Sequence, residues 1–277
     1  MTVEMIDDGT VLRVLQSGVA LYCIVTGLQA LVEFDRYTEE GVLSPEITSL
    51  QFEKEWQIRV FDLVFAGRRF EYILYVHIIA GGVLLAQAIV NNISPWSPLL
   101  LLVTTVLFGI RHHAGLNGTY HVSLTVLLGI LWASITTSTL AVTLAIGFIG
   151  VQTVLSYTVA GWLKLAVTDW RNGAILSDLA DGEIWVADNA ARMLSGPTAV
   201  AKLLSWGVII FECLFPLVLV APKEIAIGLL AVGTVFHAIN AFAMGFNTFL
   251  VIYPMTYPAI YYTNRLLHAI FHFQHPL

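Results

Sequence analysis

From Thr139 to Ala166 the chain carries a single charged side chain, Lys164. A helix needs roughly 20 mostly apolar residues to cross the hydrocarbon of a bilayer, and this run is longer than that. Apolar runs recur along the chain, at about 11–33, 70–93, 97–111, 121–137, 139–166, 203–220, 225–245 and 249–265. Inside lipid the backbone must satisfy its own polar groups, which leaves only helices and closed barrels as spanning structures. Runs of this length predict an all-α, polytopic transmembrane bundle of about eight spans. The composition agrees: 57% of residues are hydrophobic and only 12% are charged. Ordinary soluble domains carry about twice that charged fraction, so lipid must solvate much of this surface.

The segments between the runs are short, with two exceptions. Residues 47–68 alternate apolar and charged residues at near-helical spacing and predict an interfacial amphipathic helix leading into the second span. A long polar loop is expected from Thr168 to about Lys202, between the fifth and sixth spans. No repeat at a fixed period and no low-complexity tract is present, and no stretch is left over for an appended soluble domain. The expectation is therefore a single membrane domain over 1–277. The acidic N-terminus, MTVEMIDDGT, lacks the basic region of a cleavable signal peptide.

A formal net charge of −6 argues against nucleic acid as a partner. Cys23 and Cys213 sit within apolar runs, without metal-ligand spacing, and read as inert thiols. Arg36, Lys54, Arg59, Arg68, Arg69, Arg111, Lys164, Arg171, Arg192 and Lys202 fall on one side of an eight-span topology. The positive-inside rule makes that side cytoplasmic, with both termini outside. The expected location is an integral membrane one, the cytoplasmic membrane of a prokaryote.

Ionisable residues at bilayer depth are the informative ones, because each costs roughly 2.5–3.5 kcal/mol even on the lenient insertion scale. Lys164 lies near the end of the fifth span. It can snorkel to the interface, or, with its charge desolvated, act as a general base. Glu212 is near the middle of the sixth span, where so short a side chain cannot snorkel; it must be protonated or paired. His237 and Asn240 are three apart in the seventh span and share a helix face. Two ligands do not make a metal site, so a hydrogen-bonding cavity wall is preferred and no metal is expected. Arg111, His112, His113, Asn117 and His121 cluster between the third and fourth spans, His121 at the start of the fourth. Trp170 and Tyr157 can belong to an aromatic belt. The tail histidines His268, His272 and His275 look interfacial.

The segment 157–173, YTVAGWLKLAVTDWRNG, resembles the hallmark of the vitamin K-dependent γ-carboxylases and the wider HTTM membrane family. Ala160, Gly161, Lys164, Leu165, Asp169, Trp170 and Gly173 fit that pattern. The segment FHAINAFAMGFNTF is similar to the family's Phe-His-x-x-Asn helix, through Phe236, His237, Asn240, Phe242 and Gly245. NGTYHVSL, from Asn117 to Leu124, is a weaker third match. The resemblance covers about 70–262. It departs in two ways: the large extramembrane domain of the carboxylases has no expected counterpart here, and the spacing differs, with one extra residue between Lys164 and Trp170, a shorter His-Asn helix before Gly245, and Leu163 where the carboxylases often double the lysine.

The resemblance implies a membrane enzyme that uses a reduced vitamin K or menaquinol-type quinone, O2 and CO2 to carboxylate glutamate or a related acid. It implies Lys164 as the base toward the quinol, with His121, His237 and Asn240 lining the substrate or quinone pocket; Glu212, Trp170 and Arg111 are further candidates for that pocket. The implied partners are membrane lipid, the quinone, and a peptide or small acidic substrate. The alternative is a non-carboxylating membrane protein that handles the maturation of a secreted peptide. A small carrier with Glu212 and His237 as a proton relay ranks last, since no inverted repeat is visible.

Overall fold

The computed structural model describes residues 7–112, 118–181, 198–245 and 247–271. It is 86% helical, and no strand occurs among the described residues. The helices are α1 (Asp8–Val32), α2 (Pro45–Ser49), α3 (Glu55–Phe65), α4 (Arg69–Ile89), α5 (Trp96–His112), α6 (Gly118–Ser134) and α7 (Thr139–Ala166). Then follow α8 (Thr168–Asn172), α9 (Ala174–Asp181), α10 (Thr198–Leu214), α11 (Lys223–Met244) and α12 (Asn247–Phe271). Among the described residues, five segments are long and apolar enough to cross a membrane: Asp8–Val32, Arg69–Ile89, Thr139–Ala166, Ala199–Leu219 and Lys223–Met244. This is consistent with an integral membrane protein. The helices α5 and α6 are apolar but shorter.

The chain forms two compact units, one of Leu12–Ala145 and one of Ile146–Leu277 with Met1–Val11. In the first unit, small residues let helices meet: a Cβ on Gly81 of α4 would lie 2.9 Å from Cγ1 of Ile24 and 3.2 Å from the carbonyl of Ala20, both on α1. Such small-residue contacts are the usual means of close helix approach in membranes, where apolar burial gives no bias between lipid and protein. One end of this unit, where α1 ends and α4 begins, holds an aromatic core of Tyr37, Phe61, Phe65 and Phe70 with Leu43 and Leu74.

The amphipathic helix expected over 47–68 is broken in two. Ser44 caps α2, with Pro45 at its first position, and the chain leaves helical geometry before Glu55. The Gln51 side chain stabilises the break by donating to the carbonyls of Thr48 (2.8 Å) and Ile110 (3.1 Å). Only α3 retains the amphipathic pattern, burying Phe61 and Phe65. The polar stretch after the fifth run also differs from a plain loop, since α8 and α9 occupy 168–181 apart from Gly173. The remainder, 182–197, lies outside the described residues.

In the second unit, Pro216 ends regular helix and the chain continues as a 3-10 turn, Phe215–Leu219. That leaves carbonyls without intrahelical partners, which is costly where no water reaches. Two residues one turn apart on α12 meet the need. Asn264 donates to the carbonyls of Val218 and Ala221, both at 2.9 Å, and His268 pairs with the carbonyl of Ala221 at 3.0 Å. His268, expected at the interface, is buried against the Ala221 carbonyl; His272 and His275 lie outside the described residues. Replacing Asn264 by Leu removes both of its hydrogen bonds and strands the Val218 carbonyl, while the Ala221 carbonyl keeps His268. The expected result is a loss of about 1–3 kcal/mol, the cost of one stranded buried carbonyl, visible as a lowered unfolding temperature in detergent. An unchanged temperature refutes this capping role.

Candidate functional site

The site is built on the last two turns of α7. Lys164 is its only charge, and Gly161 lies one turn earlier. A Cβ on Gly161 would fall 2.8 Å from the backbone nitrogen of Cys213 and 2.9 Å from Cβ of Glu212. Glycine at this position therefore allows α10 to approach α7 closely, and this approach brings Glu212 within reach of Lys164. The Lys164 ammonium donates to both carboxylate oxygens, at 2.9 Å to Oε1 and 2.6 Å to Oε2. The Glu212 side chain is 6% exposed and that of Lys164 19%. The lysine is turned inward onto its partner, and the snorkelling alternative does not describe it.

Trp170 completes the roof. The Lys164 ammonium lies 5.3 Å from its ring centroid, a geometry in which the face of the indole attracts a cation. The indole is placed by a junction of α7, α8 and α10. Ser205 of α10 donates to the carbonyl of Trp170, and the Trp206 indole donates to the carbonyl of Arg171 at 3.0 Å. Gly173 closes α8 in a left-handed conformation, φ 86°, which residues with a side chain rarely adopt. The backbone of Lys202 also crosses where its Cβ would stand. The spaced residues Gly161, Lys164, Trp170 and Gly173 thus have physical roles at one helix junction. Asp169, between them, is exposed.

A second polar centre lies on α7 two turns before Lys164, about 10 Å along the axis at 1.5 Å per residue. The Tyr157 hydroxyl pairs with Nε2 of His237 on α11 at 2.5 Å and with the Tyr257 hydroxyl on α12 at 2.8 Å. The Tyr157 ring stacks on Phe215, centroids 4.0 Å apart, and His237 stacks on Tyr253 at 4.5 Å. His237 is 2% exposed, and its Nδ1 has no hydrogen-bond partner among the described residues. Asn240, one turn further along α11, is half-buried. Sequence reasoning missed Tyr157, Tyr253 and Tyr257 as members of this network. The only available signal was the density of tyrosines in α12, which an aromatic belt would explain equally well.

The remaining two expected residues lie in the other compact unit. Arg111 is 1% exposed. Its guanidinium donates to the carbonyls of Leu43 and Tyr37 and to the Thr48 hydroxyl, tying the 34–49 segment to the end of α5. Nearby, outside the apolar helices, burial pushes the Tyr37 phenol up to about 12, with Arg111 pulling it the other way. His121 is exposed at the start of α6 and stacks edgewise on Tyr120. No cluster of three or more His, Cys, Asp or Glu side chains that could hold a metal occurs among the described residues. Compared with known proteins, the chain matches no protein-family model, no curated protein and no solved structure.

Proposed function

We propose that the chain is an integral membrane enzyme that takes a proton from a lipid-borne quinol at Lys164 and Glu212. The chemistry is that of the γ-carboxylases it resembles, with glutamate or a related small acid as acceptor. In this reading all eight long helices cross the bilayer, α5, α6 and α12 included. The observation that carries it is the buried Lys164–Glu212 pair. A chain that needed only a membrane anchor would gain little from it, since burying two charges is costly even when they pair.

The residues fit a quinol on chemical grounds. The pair is neutral overall, so it adds no net charge to the site. Glu212 can accept a hydroxyl proton, and the ammonium of Lys164 then faces the negative charge left on the donor oxygen. The Trp170 ring offers a planar face beside the pair. Trp162 and Leu163, at 64% and 63% exposure, give α7 an apolar outer face toward lipid, the phase from which a quinol would arrive. A quinol, once bound, would supply the reducing power with which O2 generates a base strong enough for carbanion formation. A dry site protects such a base from water. His237, through its unpartnered Nδ1, can accept from or donate to a second polar group of the substrate.

The test is quinol epoxidation by the purified protein in vesicles, with a menaquinol-type quinol, O2, labelled bicarbonate and a glutamate-containing peptide. Turnover is expected in the wild type and absent in Lys164→Ala. No turnover in the folded wild type, or an unchanged rate in the variant, overturns the proposal.

A further inference from the structure

A buried cation in a membrane protein is normally matched by an anion, and Arg111 is not. It is 1% exposed. Its three hydrogen-bond partners are two carbonyls and a hydroxyl, all neutral. The rings of Tyr37, Phe61 and Phe70 surround it, with centroids 5.3, 6.0 and 5.5 Å from its guanidinium carbon. No carboxylate pairs with it among the described residues, and its Nε has no hydrogen-bond partner there. It is also in the wall of a cavity of about 440 Å³, which Arg68 lines as well. Phe34, Phe65 and Phe70 give the cavity apolar lining as well. Glu39 and Glu71 line it too, but Glu71 accepts from the Tyr75 hydroxyl at 2.9 Å and lies 3.9 Å from Nε of Arg68. Glu71 thus answers Arg68, and neither Glu71 nor Glu39 forms an ion pair with Arg111 among the described residues.

The cavity's place in the unit suggests what it holds. It lies where α1 ends, α4 begins and α5 ends, which is headgroup level if these helices cross the bilayer. Basic pockets at this level, with apolar walls, take lipid headgroups, and a guanidinium is suited to a phosphodiester through paired N–H donors. An apolar groove of about 200 Å³ runs alongside, between α3 and α5, and shares Phe65 as a wall. It is lined by Trp56, Val60, Phe61, Val64, Leu107 and Ile110, a surface fit for an acyl chain.

We infer that this cavity is a phospholipid site, with the lipid phosphodiester held by Arg111 and Arg68 and an acyl chain along the α3–α5 groove. The site is independent of the chemistry proposed at Lys164. The lipid completes the charge balance of Arg111, so delipidated protein is less stable and phospholipid restores it.

The experiment measures the unfolding temperature of the purified, delipidated protein in detergent, together with retained lipid by native mass spectrometry. The probes are dioleoylphosphatidylglycerol, dioleoylglycerol without the phosphate, and glycerol phosphate without the tails. The expected result is stabilisation by the phospholipid alone. Equal stabilisation by glycerol phosphate assigns the site to a soluble anion and overturns the lipid. Equal stabilisation by dioleoylglycerol overturns the role of the phosphate. Arg111→Met risks the fold, because Arg111 ties the 34–49 segment in place. Thr38→Trp is therefore the decisive variant, since it fills the cavity from an exposed position and leaves both arginines intact. It is expected to retain at least about tenfold less phospholipid than the wild type, and unchanged retention defeats the inference.

Discussion

Replacing Glu212 by Ala, with Lys164 kept, is expected to destabilise the second unit by about 3–5 kcal/mol, the usual penalty for breaking a buried ion pair from one side. Lys164 is mostly covered, so its ammonium would be left beside the Trp170 ring with no carboxylate. The same argument predicts a different outcome for the double variant Lys164→Met, Glu212→Leu. Both charges are then gone and the volume is roughly kept, a replacement that is often neutral or stabilising. Thermal unfolding of the wild type, Lys164→Met, Glu212→Leu and the double variant closes the cycle, with Glu212→Ala measured beside it. A double variant as unstable as Glu212→Ala alone rules out this account of the pair.

That cycle also separates structure from chemistry. If the pair only ties α7 to α10, the double variant restores stability and whatever activity the protein has. If the pair handles a proton, the double variant is stable but its quinol turnover stays lost. The second outcome is expected. The stability arm does not depend on the turnover arm, so the two readings can fail separately.

Much of this was legible in the sequence because lipid imposes a simple rule. Long apolar runs must be helices, and seven of the eight expected runs begin within about three residues of a helix start; α10 begins earlier, at Thr198. The depth rule also singled out Lys164 and Glu212 separately, since neither has a cheap reason to be in an apolar run. Their pairing was not legible, because 48 residues separate them and nothing local encodes which helices meet. Gly161 held part of that information, but a glycine in a helix announces a close approach without naming the partner. Arg111 was placed with the substrate pocket because it neighbours histidines in the chain. Its hydrogen bonds instead reach back to Tyr37, Leu43 and Thr48, through loop geometry that periodicity cannot foresee. The tyrosine network failed for a related reason: tyrosine is common at membrane interfaces for its amphipathic ring alone, so its type carries little weight.

Gly161→Val is expected to have the second large effect, through geometry alone. The added side chain must enter a space already held by the Cys213 nitrogen and the Glu212 Cβ. Backbone cannot rotate away as a flexible side chain can, so α10 must shift outward. Overpacking of this kind typically costs about 1–3 kcal/mol. The functional loss should be greater than the stability loss, because a shift of about 1 Å at a catalytic pair can lower turnover a hundredfold. Gly147, on the same helix, is the control, since a Cβ there meets nothing within 4 Å. Gly147→Val should leave both stability and turnover unchanged. Equal effects at the two positions would trace the loss to β-branching in the helix and not to the approach of α10. A large effect at Gly161 alone locates the cause at the close approach that brings Glu212 to Lys164.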